Sequence, residues 1–153
     1  MKTLEQIKND VESQTNAQVT IESTALIVPK EKIQDVARFL KANHEYQMDY
    51  VSCVTGVDYK EHLEVVYHLY STAKKEGAIT LKVRTTPADP HIPSVTPIWR
   101  GAEYQEREAY DLVGIHFDGH PDLRRILMWE GFEHHPLRKD YVQDDQDREP
   151  ANF

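Results

Sequence analysis

Three runs rich in β-branched and aromatic residues, Met48–Tyr59, Leu63–Ser71 and Ala78–Thr85, follow one another with almost nothing between them. The separators, Asp58-Tyr59-Lys60-Glu61 and Lys74-Lys75-Glu76-Gly77, have turn composition. A parallel crossover needs a dozen or more residues, so connections this short favour antiparallel pairing. The middle run also states which side is covered. Strand alternation puts Leu63, Val65, Tyr67 and Leu69 on one face and His62, Glu64, Val66, His68 and Tyr70 on the other. One face is expected to be buried and the other half-covered.

Helical patterns flank these strands. Leu4, Ile7 and Val11 stand at helical spacing within residues 3–16, with Thr3 placed to cap the start and Glu5 and Glu12 outward. Gln18–Val28 alternates, turns apolar and stops at Pro29, which fits either one bent strand or a hairpin through Glu22-Ser23-Thr24. Between Lys30 and Asn43, Ile33, Val36, Ala37 and Leu40 form one apolar stripe. Pro87, Pro90, Pro93 and Pro97 then exclude regular sheet and leave room for a helix from near Ser94 to Val113, ended by Gly114. Phe117–Tyr141 keeps neither period and is broken at Gly119-His120-Pro121 and His135-Pro136. The expected fold is α+β: a mostly antiparallel sheet with helices packed on one side, then a helix and an extended irregular C-terminal arm. Residues 1–113 are the α+β part and 114–153 the arm and acidic tail, within the single domain that 153 residues support.

Several function classes are disfavoured. The net charge of −8 argues against a nucleic-acid module, whose footprint is basic. The tail around Asp144, Asp145, Asp147 and Glu149 is expected to be solvated or paired with another chain. No apolar run approaches the roughly 20 residues of a membrane-spanning helix, and the first residues lack a signal-peptide core. The chain is therefore expected to stay in the cytoplasm. Cys53 stands alone and cannot build a disulfide, zinc cluster or iron-sulfur site; within "YVSCVTGV" it reads as a small buried hydrophobe. The six glycines are scattered and form no phosphate-binding loop.

The stretch "EREAYDLVGIHFDGHPDLRRIL" holds the candidate chemistry. Glu106, Glu108 and Asp111 suggest acid-base work, but neighbouring helical positions diverge by about 100°. Arg107 has Glu103 and Asp111 at i±4, so an ion-paired exposed helix face is the favoured reading. His116 and His120 have the spacing of a helical metal pair, yet Gly119 and Pro121 break that helix and no Glu accompanies them. With His134 and His135 they are expected to be hydrogen-bonding loop residues. Arg124, Arg125, Arg138 and Lys139 are cancelled by Asp122, Glu130, Glu133 and Asp140. No residue is assigned to catalysis, cofactor or metal. What remains is an arm carrying Phe117, Leu123, Ile126, Leu127, Met128, Trp129, Phe132, Leu137 and Tyr141, a composition enriched at protein interfaces. It lies either on a partner, the favoured reading, or on its own sheet.

Glu106-Arg107-Glu108-x-x-Asp111-Leu112-Val113, followed by His120-x-x-x-Arg124-x-Ile126 and closing with His135-Pro136-Leu137-Arg138-Lys139-Asp140-Tyr141, resembles the signature of the 30 kDa subunit family of respiratory complex I. Strong resemblance covers Trp99–Tyr141; Met1–Thr86 shares only the order of elements. It implies a cofactor-free structural subunit in the hydrophilic arm of a proton-translocating NADH:quinone oxidoreductase, with no active site of its own. Flavin and iron-sulfur clusters would lie in partner subunits. The chain would dock on the 49 kDa-type subunit and other peripheral-arm subunits, peripherally on the cytoplasmic side of the membrane, without inserting into it. Glu106, Arg107, Glu108, Asp111, Gly114, His120, Arg124, Arg125, His135, Pro136, Arg138, Asp140 and Tyr141 are the implied fold and interface residues. Similar subunits occur in membrane-bound hydrogenases and coenzyme F420-dependent dehydrogenases. The rival is a small stand-alone enzyme using Glu106, Glu108, His116 and His120.

Overall fold

The three central runs do pair antiparallel: β3 (Tyr50–Asp58) with β4 (Leu63–Tyr70), and β4 with β5 (Ile79–Thr85). The computed structural model describes residues 2–75 and 77–142, so Glu76 in the second turn and the acidic tail lie outside the described residues. Of the two options for the early strand region, the hairpin is the one adopted. β1 (Thr20–Glu22) and β2 (Ala25–Val28) meet through Ser23 and Thr24, with Ser23 at φ 56°. β2 then runs parallel to β5, a pairing with no local sequence signal, and the sheet order is β1-β2-β5-β4-β3.

The two N-terminal helices follow from their caps and stripes. α1 (Leu4–Thr15) opens with a capping box in which Thr3 and Gln6 satisfy each other's backbone N–H groups. It ends at Asn16 in the left-handed region and buries Ile7 and Val11. α2 (Ile33–Ala42) buries all four stripe residues, Ile33, Val36, Ala37 and Leu40, completely. These side chains join Leu26, Val28, Leu63, Val65, Tyr67, Leu69, Leu81 and Val83 in one core. The helices therefore cover one face of the sheet. Across the sheet's other face, buried Glu64 is ringed by Arg84 (2.7 Å) and Lys82 (3.2 Å), which also reach Glu22.

The expected long helix from Ser94 is a correction. The last helix, α3, spans only Glu103–Val113, preceded by one 3-10 turn at Arg100–Ala102. Residues 94–99 instead form a loop whose Val95, Ile98 and Trp99 are buried, with the Trp99 indole N–H donating to the Met48 carbonyl (2.9 Å). The prolines also fail to exclude sheet: β6 (His91–Pro93) pairs parallel with β7 (His116–Asp118). A short outer ladder tolerates Pro93 because the missing N–H is needed only where the strand must donate.

α3 lies over β3. A Cβ on Gly56 would sit 3.1 Å from Ile115 and 3.3 Å from Ala109, so a strand glycine sets how closely the helix approaches. Gly114 ends the helix in the left-handed region (φ 80°), as its position predicts. Ile115 and Phe117 remain in the core, so the irregular stretch begins only after Asp118. Cys53, expected buried, is half-buried beside a β-bulge between Val51 and Cys53.

Candidate functional site

The signature residues of α3 do not form the expected exposed ion-paired face. Glu106 and Asp111 are fully buried and Arg107 is 5% exposed. Among the described residues no ion pair joins Arg107 to Glu103 or Asp111. Its Nε and Nη2 instead donate to the carbonyls of Arg124 (3.1 Å) and Arg125 (3.0 Å). A guanidinium's planar fork suits such a paired grip on backbone oxygens.

Asp111 holds the same segment from the other side. Its Oδ2 accepts the backbone N–H groups of Ile126 (3.0 Å), Leu127 (2.7 Å) and Met128 (2.9 Å), while Oδ1 receives Arg125 Nη1 (2.7 Å). Burial pushes this carboxyl up, but the bonds from Met128, Arg125, Leu127 and Ile126 outweigh it and hold it below the usual carboxylate range. Arg125 also donates to the carbonyls of Asp111 and His134, and its guanidinium lies over the Phe132 ring. The arm is thus fixed through its backbone, which lacks any repetitive hydrogen bonding of its own.

Further contacts extend the attachment. His120 Nε2 meets the Glu103 carbonyl (2.9 Å), and His135 Nδ1 meets the Asp111 carbonyl (3.0 Å). The Leu137 N–H donates to Leu112 O (2.8 Å), and the Lys139 N–H to buried Asp58 (2.8 Å). Gly114 matters here beyond its φ, since a Cβ there would lie 2.5 Å from the His135 ring. Pro136 is half-buried, Arg138 leans toward Asp140 (3.3 Å), and Tyr141 closes an aromatic cluster with Phe132 and His134. Arg124 is exposed and paired with Asp122.

With the backbone fixed, the apolar side chains face away. Leu127 is 62% exposed, Trp129 59% and Leu137 60%, with Ile126 and Val142 also exposed. Tyr104, on the outer face of α3 beside the Arg107 guanidinium, adds to this surface and has no sequence signal of its own. Among the arm's described apolar residues, Phe117 lies in the core with Ile115, and Leu123 packs against it.

The four residues of the stand-alone enzyme reading do not converge. Glu106 is sealed inside, receiving Ser94 Oγ (2.6 Å) and the Val95 N–H (2.8 Å). Burial pushes its carboxyl up to about 7, only partly offset by the Ser94 and Val95 bonds. Glu108 faces solvent, and His120 is engaged by the Glu103 carbonyl. His116 joins His91 and Asp118 rather than His120; the three ligand atoms lie within 4.8 Å of one another. The period-two pair His116 and Asp118 was readable in the sequence, but His91 is supplied by a strand pairing that was not.

Fold and clamp together define a class: a small α+β domain whose last helix grips an irregular arm and turns its apolar side chains outward. The chain belongs to the family described as the respiratory-chain NADH dehydrogenase 30 Kd subunit, whose pattern it matches over residues 26–147. It is 50% identical over 120 residues to a NADH-quinone oxidoreductase subunit from Rhizobium meliloti (strain 1021), covering 76% of this chain and 65% of that protein. It is 46% identical over 127 residues to the corresponding NADH-quinone oxidoreductase subunit from Geobacter sulfurreducens, covering 80% and 76%. Several of these relatives are longer, the chain spanning a little under two thirds of the Rhizobium protein. Among solved structures, the trypsin-resistant fragment (1-134) of Nqo5 is similar with a TM-score of 0.63 at 29% identity, covering 78% of this chain and 98% of that one. A chain of the membrane-bound sulfane sulfur reductase, an archaeal respiratory membrane complex, shares the fold (TM-score 0.72, 23% identity, 97% and 98% covered). No described helix is long and apolar enough to cross a membrane.

Proposed function

We propose that this chain is a structural subunit, without flavin or iron-sulfur cluster of its own, of the peripheral arm of an NADH:quinone oxidoreductase. It docks on the 49 kDa-type subunit through the apolar side of its arm, at the cytoplasmic face of the membrane and without inserting into it. Flavin and iron-sulfur clusters belong to neighbouring subunits, and electrons reach quinone without passing through this chain. The observation that carries the reading is the sidedness of the arm. Arg107 and Asp111 fix its backbone, yet Leu127, Trp129 and Leu137 remain more than half exposed.

Exposed apolar side chains on a loose segment would lose conformational freedom on docking. Here the backbone ordering is already done, so burial of the aromatic and leucine side chains goes largely into association. The measurement is co-purification with the tagged 49 kDa-type partner from cells carrying Leu127→Ser together with Trp129→Ser. The variant chain is expected to melt within a few degrees of the parent, since neither side chain contributes to the core. Its recovery with that partner is expected to fall at least tenfold, an amount equivalent to about 1.4 kcal/mol. Unchanged recovery would overturn the docking assignment.

A further inference from the structure

We infer that the short β6–β7 ladder carries a divalent transition-metal site of the zinc class, with His91, His116 and Asp118 as its ligands. Strand geometry alone places the three together. His116 and Asp118 are two residues apart on β7 and so share a face, and His91 is the direct partner of His116 across the ladder. The Asp118 Oδ1 lies 2.8 Å from His91 Nδ1 and 3.2 Å from His116 Nδ1, and the two rings lie tilted by 36° with 4.5 Å between centroids.

Those separations suit a shared ion. Ligands about 2.05 Å from a tetrahedral centre stand about 3.3 Å from one another, so the two Asp118 separations would change by only tenths of an ångström on insertion, and all three ligand atoms already lie within 4.8 Å of one another. Two imidazoles and one carboxylate form a borderline donor set that favours zinc, nickel or copper over magnesium or calcium. Three protein ligands leave the fourth position to water. The charge around the site also suits a cation, since Asp118 is held below the usual carboxylate range by its two histidines despite some burial. Glu31 lines the same depression, where Asp89 is paired with Lys30 (2.6 Å). The ladder is fixed independently of the ligands, because the Ser94 N–H donates to Asp118 O (2.8 Å) and the His116 N–H to Pro90 O (2.7 Å). A bound ion would therefore clip together the two strands from which α3 departs and to which it returns.

The test is titration of the full chain with zinc chloride while the histidine side-chain resonances are followed by NMR, alongside calorimetric titration of His91→Gln/His116→Gln. The expected result is that the His91 and His116 resonances shift first and together among the eight histidines. The double variant, melting as the parent does without metal, should bind zinc at least about tenfold more weakly. If the resonances of His134 and His135 move while those of His91 and His116 stay still, the assignment is wrong. Equal zinc affinity in a folded double variant would likewise overturn it. Should the double variant not fold, the parent's resonances decide the matter alone.

Discussion

Two irregular segments of this protein are held by the same device and put to opposite use. Residues 94–99 are tied to α3 by buried Glu106, and the arm after Asp118 is tied to α3 by buried Asp111. Both carboxylates take backbone N–H groups on a fully buried side chain. In the first segment Val95, Ile98 and Trp99 turn inward; in the second Leu127, Trp129 and Leu137 turn outward. The outward set is therefore not a sign of loose attachment, since its backbone is held at least as firmly. The carboxylates differ as well. Asp111 has an arginine and three N–H donors and stays charged, whereas Glu106 has a hydroxyl and one N–H and is pushed toward neutrality.

The sharpest way to break this pairing is Asp111→Ala. It removes the carboxylate facing Arg125 and leaves three N–H groups without their acceptor at once, and should cost about 4 kcal/mol in urea denaturation. Hydrogen exchange should accelerate at the amides of 126–128 while those of β4 report only the global loss. If those three amides keep their protection, Asp111 is not what holds the arm.

Glu106 predicts a pH dependence of opposite sign to the usual carboxylate. Its folded value, about 7 against an ordinary 4.5, means the folded chain retains a proton that the unfolded chain has released. Stability should therefore fall as pH rises from about 4.5 to 7, by at most about 3 kcal/mol, and the slope should vanish in Glu106→Gln. Depressed carboxylates such as Asp111 act in the other direction and below that window, where stability is lost on acidification. Equal slopes in parent and variant would remove the contrast between the two clamps.

Gly114→Ala comes next, because a left-handed φ and a Cβ 2.5 Å from His135 force the ring away from Asp111 O; about 2 kcal/mol of thermal stability is expected to go. Leu127→Ser with Trp129→Ser lies at the bottom of the scale, under about 0.5 kcal/mol for the lone chain.

The elements with a strong period were legible. The α2 stripe, the Leu63–Leu69 alternation and the Gly114 stop all emerge where the pattern puts them, because each records burial along a single element. What the sequence hid depended on pairing across distance. The parallel β2–β5 contact and the β6–β7 ladder join residues with no common local signal, and the second brings His91 to His116. The error at α3 has a different origin. An i, i+4 spacing of Glu103, Arg107 and Asp111 is the same whether the partners lie on the helix or on a segment that folds back over it, and here the arm's backbone supplied better ones.

The β6–β7 ladder also bears on how the arm is attached. Its rungs shut the chain into a ring with α3 inside, so the cost of bringing those distant residues together is met once for everything the ring carries. Arg107 and Asp111 ride on that ring. The segment they grip leaves the ring through Asp118, so the outward-facing leucines and tryptophan are attached to the same closed loop twice, once through the chain and once through these side chains.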